Sequence, residues 1–308
     1  MPSSPAPTET RNALIAGLVC YVCWGVFPLL FMAMARAGFS APEILAQRGL
    51  WAVAFAAVLV LVTGRVEQVR RVLTTPATLG WLALSTVMIL INWGAYVWAT
   101  THQHTLEASL GYYINPLLNM VAGLVVFRER IDRWGWIAIG AAAVGVVLQA
   151  VALGRAPWLS LVIAFSFASY GIIRKRVDAD AQTGLFVECL LMIPVGIGLL
   201  LWLNQTAGVV GFSSPAHWGW AISSGLATVL PLVLFAWSAR RLPLSTIGFL
   251  QFLAPTLQFC IGVASGEPLT LLRILSFGFI WTGAAVFAGA ALWRKRAERQ
   301  AIRLQIPE

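Results

Sequence analysis

Residues 80–116 read GWLALSTVMILINWGAYVWATTHQHTLEASLGYYINP, and residues 219–255 read GWAISSGLATVLPLVLFAWSARRLPLSTIGFLQFLAP. Set one above the other, they align Gly80 with Gly219, Trp81 with Trp220, Trp98 with Trp237 and Pro116 with Pro255, all at one offset of 139. Further out, Glu129 answers Glu267 after a slip of one residue. Trp24-Gly25 answers Tyr170-Gly171, and the segment from about Glu43 answers that from about Thr183. Landmarks that keep their spacing through both halves indicate an internal duplication.

What is duplicated is decided by composition. Of 308 residues, 59% are apolar and 11% are charged. Ordinary soluble domains carry about 25% charged residues. With a mean hydropathy of +0.81, a soluble enzyme or a nucleic-acid binder is excluded, and the pI of 10.1 belongs to loop positions. Apolar stretches fall at about 12–35, 43–63, 77–99, 108–127, 134–153, 157–173, 183–203, 218–238, 244–264 and 271–293. A helix crosses the hydrocarbon core with about 20 such residues. The chain therefore reads as an all-α integral membrane protein of ten transmembrane helices. Residues 1–11 form a tail, 12–153 a first repeat, 157–293 a second, and 294–308 a basic tail, with no stretch left for a soluble domain. Span one carries Trp24 and Pro28 and is too long for a cleaved leader, so it reads as a retained helix.

Lysine and arginine give the orientation. Seventeen stand in the tails and on alternate loops: Arg11, Arg65, Arg70, Arg71, Arg128, Arg130, Arg133, Arg174, Lys175, Arg176, Arg240, Arg241, Arg294, Lys295, Arg296, Arg299 and Arg303. Only Arg36 and Arg155 stand on the other side, and Arg48 and Arg273 fall within spans. Basic loops stay cytoplasmic, so both termini are expected inside, at the inner membrane. Each repeat has five spans, an odd number, so the second is inserted upside down. Inverted repeats are an architecture of secondary transporters, with the solute site near the midplane between the halves.

The same residues carry a family likeness. Glu43-Ile-Leu-Ala-Gln-Arg48-Gly-Leu-Trp51, Asn92-Trp93, Trp98-Ala99 and Leu106 to Leu117 resemble the drug/metabolite transporter superfamily with two EamA-type repeats, its RarD group above all. Ser166 to Lys175, Ala181 to Gly184, Pro231-Leu232, Leu244 to Thr246, Gln251 and Pro255-Thr256 extend the likeness over almost the whole chain. It implies a helix basket whose cavity is lined by spans one, three, four, six, eight and nine, with spans five and ten peripheral. The solutes it implies are amino acids, other metabolites and drugs, moved mostly outward.

A charge at the membrane centre costs about 2.5–3.5 kcal/mol on insertion scales, so polar groups at depth need a reason. On span four, Ser109, Tyr112, Tyr113, Pro116 and Asn119 read as one broad face with Asn115 adjoining; on span nine, Gln251, Pro255 and Gln258 share another. Proline frees the carbonyl four residues before it, so Pro28, Pro116, Pro231 and Pro255 read as kinks lining a cavity. Trp24, Asn92, Tyr96 and Tyr170 complete the expected solute-binding set, because flat rings with one polar atom suit amphipathic solutes. The plainer reading makes the same groups helix-to-helix glue.

Arg48 and Glu188 lie about 7–8 Å inside opposite faces, roughly 15 Å apart along the normal, and are not expected to pair. A gate or coupling role is expected for Glu43, Arg48, Glu188 and Glu267. Arg48 would meet Glu43, Glu107 or Glu267, or simply snorkel to the interface, and Glu188 would meet Arg174 or a loop arginine. Glu188 is also the proton-coupling candidate.

No nucleotide loop, hydrolase motif or paired carboxylate occurs within a span. His102, His104 and His217 form no metal set; Cys20, Cys23, Cys189 and Cys260 lie in apolar stretches as no disulfide framework, and Cys20 and Cys23 read as small buried hydrophobes. No cofactor, metal or nucleic acid is expected. The partners are a small solute and the bilayer, as a monomer or a homodimer; Ala141/Gly145 and Ala284/Ala288 suit close helix packing inside a repeat or across a dimer alike. The expected function is export of small amphipathic metabolites, amino acids or aromatic compounds favoured, by alternating access. Alternatives are a permease for chloramphenicol-like drugs and, from other classes, a membrane-embedded enzyme or a lipid scramblase.

Overall fold

The computed structural model describes residues 7–126, 133–174, 176–239, 241–242, 246–247 and 250–304, and they are all helix and connecting turn. Eleven helices are described: α1 (Pro7–Arg36), α2 (Ala41–Val62), α3 (Val66–Thr74), α4 (Pro76–Thr101), α5 (Thr105–Val126), α6 (Arg133–Leu153), α7 (Trp158–Arg174), α8 (Ala181–Thr206), α9 (Pro215–Ala239), α10 (Leu253–Ala264) and α11 (Leu271–Leu304). All but α3 answer the ten apolar stretches. By length and hydropathy, α1, α2, α4, α6, α8 and α9 are each sufficient to cross a bilayer, whereas α7, α10 and Leu271–Phe287 of α11 are shorter apolar helices. Leu14, Leu18, Val58, Leu61, Val62, Val147, Val151, Leu201 and Ile274 are exposed. An outer surface this apolar is stable against hydrocarbon, not water.

Local chemistry sets the helix starts. Ser40 caps α2 by accepting from the Glu43 N–H at 3.4 Å, and Pro42 follows in the first turn. At the matching place in the second half, Asp180 caps α8 by accepting from the Thr183 N–H at 2.8 Å. The basic tail forms no separate unit up to Leu304, since α11 continues through it.

Packing repeats with the halves exchanged. Helix α1 lies against α9 and α10, just as α7 lies against α4 and α5; α2 packs on α8, α5 on α10, and α6 on α11. Each of these last three pairs joins one span to its counterpart, as an inverted twofold relation requires. The main core gathers Phe27, Phe31, Met34, Ile44, Tyr96, Val97, Ala108, Leu159 and Ile163 where α1, α2, α4, α5 and α7 meet. The α6–α11 pair explains the small residues. A side chain at Gly145 would run into Ile280 and the Ser276 carbonyl, and Ser276 Oγ donates to the Gly145 carbonyl at 2.7 Å. Gly145 thus packs between the repeats of one chain; Ala284 on α11 is buried.

Two features depart from the expected outline. Helix α3, expected as loop, buries Val69 and Val72 against α4 and α8. It is tied to the start of α8 by Arg65 Nε to Asp180 at 3.3 Å and by Thr183 Oγ1 to the Gln68 amide at 2.7 Å. Val66, Val69, Val72 and Leu73 recur at helical spacing, but nine residues fall short of a membrane span. The second departure is span nine. It is not continuous: a turn at Gln251–Phe252 precedes α10, and Pro255 stands in the first turn of that helix instead of kinking its middle. A proline ring clashes with the carbonyl four residues earlier, here Gln251, and fits without strain only in a first turn. Helix α5 by contrast runs on through Pro116.

Candidate solute site between the repeats

A buried charge stands at one end of the site: Arg48, the eighth residue of α2, is 5% exposed. The carboxylates expected beside it are engaged elsewhere. Glu43 accepts from the Gly211 N–H at 2.7 Å, Glu107 pairs with Arg155 at 3.1 Å and His104 at 2.8 Å, and Glu267 accepts from the Thr105 and Leu106 N–H groups at 2.5 and 2.9 Å. Glu267 is thereby the N-terminal cap of α5. Arg48 instead donates from Nε to Thr228 Oγ1 of α9 at 2.8 Å. Its guanidinium lies 3.9 Å from the Trp93 ring centre, with Phe31 at 5.5 Å and Phe27 at 5.6 Å. Such cation–π contacts are worth about 2 kcal/mol or more when desolvated. No carboxylate pairs with Arg48 among the described residues, and its Nη1 is buried without a partner.

Glu188 is the eighth residue of α8 and the counterpart of Arg48. It accepts from Ser85 Oγ at 2.5 Å and Tyr170 OH at 3.2 Å, and pairs with Arg174 Nε at 3.7 Å, the partner expected for it. Gly184 makes the last contact possible, because a side chain there would occupy the place of the Arg174 guanidinium.

Rings fill the interval between the two charges. Phe27 and Phe31 have centroids 5.8 Å apart, Phe31 and Tyr96 6.0 Å, Tyr96 and Tyr112 5.5 Å, Tyr112 and Phe167 5.9 Å, and Phe167 and Tyr170 6.0 Å. This ladder passes from α1 through α4 and α5 to α7, where Tyr170 bonds Glu188. Asn92 fixes its middle: Nδ2 donates to the Ile163 carbonyl at 2.9 Å and Ser166 Oγ at 3.2 Å, and Oδ1 accepts from Tyr112 OH at 3.0 Å. Tyr96 OH is buried with no partner.

Asn92, Tyr96, Tyr112 and Tyr170 are thus brought together. Trp24 lies beside them, half-buried, ringed by Tyr21 at 5.4 Å and Phe235 at 5.8 Å. Pro28 removes the helical donor from the Trp24 carbonyl, and Gln258 Nε2 replaces it from α10 at 3.1 Å. Tyr113 faces away: it bonds Thr256 and stacks among Phe252, Phe277 and Trp281. Neighbouring residues on a helix diverge by about 100°, so Tyr112 and Tyr113 serve different surfaces. Asn115 is buried with both amide atoms unpartnered among the described residues, and Gln251 is half-buried. Pro231 lies within α9; the side chains of Pro116 and Asn119, like all of Glu129, fall outside what the structure describes. Sequence reasoning missed Phe27, Phe31, Trp93, Phe167 and the hydroxyls of Ser85 and Thr228. The i, i+4 spacing of Phe27 and Phe31 was a usable signal; the hydroxyls gave none. A cleft of about 410 Å³ also opens at the ends of α1, α2 and α4, between Phe39, Pro42, Trp98 and His102, and none of the expected solute-site residues lines it.

Two inverted five-span repeats closing on buried, opposite charges and a ring ladder define a multi-pass helical membrane transporter. The EamA-like transporter family matches over residues 11–151. The chain is 40% identical over 291 residues to an uncharacterized transporter of Pseudomonas aeruginosa, covering 94% of this chain and 97% of that one. It is 36% identical to Protein RarD of Escherichia coli (94% and 97% covered) and 29% identical to the chloramphenicol-sensitive protein RarD of Pseudomonas aeruginosa (83% and 88%). The chain therefore belongs to the EamA-like transporter family, in the drug/metabolite transporter superfamily. A crystal structure 18% identical in sequence superposes with a TM-score of 0.59, covering 94% of this chain and 99% of that one, and shares the fold.

Proposed function

We propose that the protein is an inner-membrane permease that exports small amphipathic metabolites, amino acids or aromatic compounds foremost, by alternating access. The ring ladder from Phe27 to Tyr170 carries this reading. It lies between the repeats, where secondary transporters hold their solutes, and its hydroxyls punctuate an apolar track that grips a hydrophobic body without demanding one shape. The basic loops support cytoplasmic termini. Glu188, tied to Arg174, Ser85 and Tyr170 at the opposite end from Arg48, is suited to a latch that opens and closes with the cycle. The test is purified protein in liposomes loaded with labelled amino acids and aromatic acids. Efflux faster than from protein-free vesicles, slowed by Tyr96→Ala and Tyr112→Ala at equal protein density, supports the reading; efflux indifferent to both changes refutes it.

One relative's name favours a second reading, efflux of chloramphenicol-like drugs. Labelled chloramphenicol in the same vesicles decides between them: if it leaves faster than the metabolites, the drug reading replaces the first.

A further inference from the structure

Arg48 is a buried cation without a counter-anion among the described residues. Its Nε is spent on Thr228, its faces lie on Trp93, Phe27 and Phe31, and Nη1 has no acceptor. Removing a guanidinium from water and leaving it unpaired is among the costliest arrangements a protein interior holds. The buried carboxylates Glu43, Glu107, Glu188 and Glu267 all have partners elsewhere. On the far side of the Phe31 ring stands the buried hydroxyl of Tyr96, also unpartnered among the described residues. The Phe31 ring touches both residues. A free guanidinium nitrogen and a free phenol, joined by an aromatic wall at the head of the ladder, form half of a recognition site whose missing half is an acceptor bearing negative charge.

We infer that Arg48 and Tyr96 bind the carboxylate of the transported solute, whose apolar body then lies along the ladder. One cation and one neutral donor match a singly charged group with two oxygens. A phosphoryl dianion would bring a second charge that nothing described at this end neutralises. The proposal rests on reading the ladder as a solute path, and it names the chemical group that path selects.

The experiment compares each acid with the amide in which an uncharged carboxamide replaces its carboxylate. Equilibrium binding of phenylacetate and L-phenylalanine to the full chain in lipid nanodiscs is measured against phenylacetamide and L-phenylalaninamide, with inorganic phosphate as a competing anion. The acids should bind about tenfold or more tightly than the amides, a factor typical of a charge-assisted hydrogen bond. Arg48→Gln should erase that preference, Arg48→Lys should keep part of it, and Tyr96→Phe should weaken acids more than amides. The acid–amide comparison needs no variant, so it stands even if Arg48→Gln fails to fold. Equal binding of acids and amides overturns the inference, as does no binding of either acid, a preference that survives Arg48→Gln, or phosphate competing as well as phenylacetate. Arg48-dependent binding of acids that never leave loaded vesicles would uphold the carboxylate site and sink the transport reading. Efflux of both amides at the rate of the acids would do the reverse.

Discussion

Replacing Glu267 with Gln should destabilise the protein without slowing the molecules that remain folded. The carboxylate accepts from the Thr105 N–H with one oxygen and the Leu106 N–H with the other, at 2.5 and 2.9 Å, and both residues it caps are fully buried. An amide of the same shape offers one acceptor and turns its NH2 toward the second donor. One charge-assisted hydrogen bond worth about 1.5–3 kcal/mol is lost, and a buried N–H is left unsatisfied at about 1–3 kcal/mol. The two figures overlap, and removing a desolvated charge gives some of the loss back, so the net cost is about 3 kcal/mol. That corresponds to roughly a hundredfold in the unfolding equilibrium. Reversible unfolding in mixed micelles of increasing dodecyl sulfate content measures it. Efflux per folded molecule in liposomes should be unchanged, because the helix cap touches no residue of the ladder. A stability change below about 0.5 kcal/mol, together with lost efflux, would show that Glu267 is a gate and that its capping geometry is incidental.

Other consequences follow from the same contacts. Gly184→Ala should push Arg174 off Glu188, and efflux should fall in parallel with Glu188→Gln; normal efflux in both would deny the latch. If Glu188 also exchanges protons, Glu188→Gln should abolish accumulation driven by a pH gradient while sparing downhill exchange, and indifference of the wild type to the gradient rules that out. Gly145→Leu should cost about 1–3 kcal/mol by overpacking the α6–α11 contact, read in the same micelle titration, and an unchanged midpoint would refute that packing. A cysteine placed at Gly208 should react with an impermeant thiol reagent from the periplasm, and one at Asp178 only after the membrane is opened. The opposite pattern would reverse the proposed orientation.

The architecture was legible because it is written in spacing. Trp81 and Trp220, Trp98 and Trp237, Pro116 and Pro255 keep one interval, and the helix pairs of the structure follow the same correspondence. The site was legible only in its inventory. Asn92, Tyr96, Tyr112 and Tyr170, singled out as polar rings or amides at depth, stand together in the structure. Tyr113 was placed with them on one broad helical face, but it stands about 100° round α5 from Tyr112 and packs elsewhere. Arg48 was assigned a carboxylate because isolated charges attract that expectation. Its true partners, Thr228 and Trp93, lie on other helices, and contacts across helices leave no periodic trace. The break before Pro255 was hidden for another reason: an apolar run looks the same whether the helix continues or stops.

Arg48 and Glu188 occupy the eighth position of α2 and of α8, one fixed positive and one acidic, in halves that otherwise mirror each other. A dimer of two identical five-span subunits has no means of doing this, because any residue placed at that position appears twice. Fusing two copies into one chain let each position choose its own side chain, and here the choice went to opposite signs. The halves have consequently lost their interchangeability. A chain assembled from two copies of residues 12–153 would bury two guanidinium groups and hold no acid there to receive Ser85. Duplication gave this protein its symmetry, and a single pair of positions gives it a head and a tail.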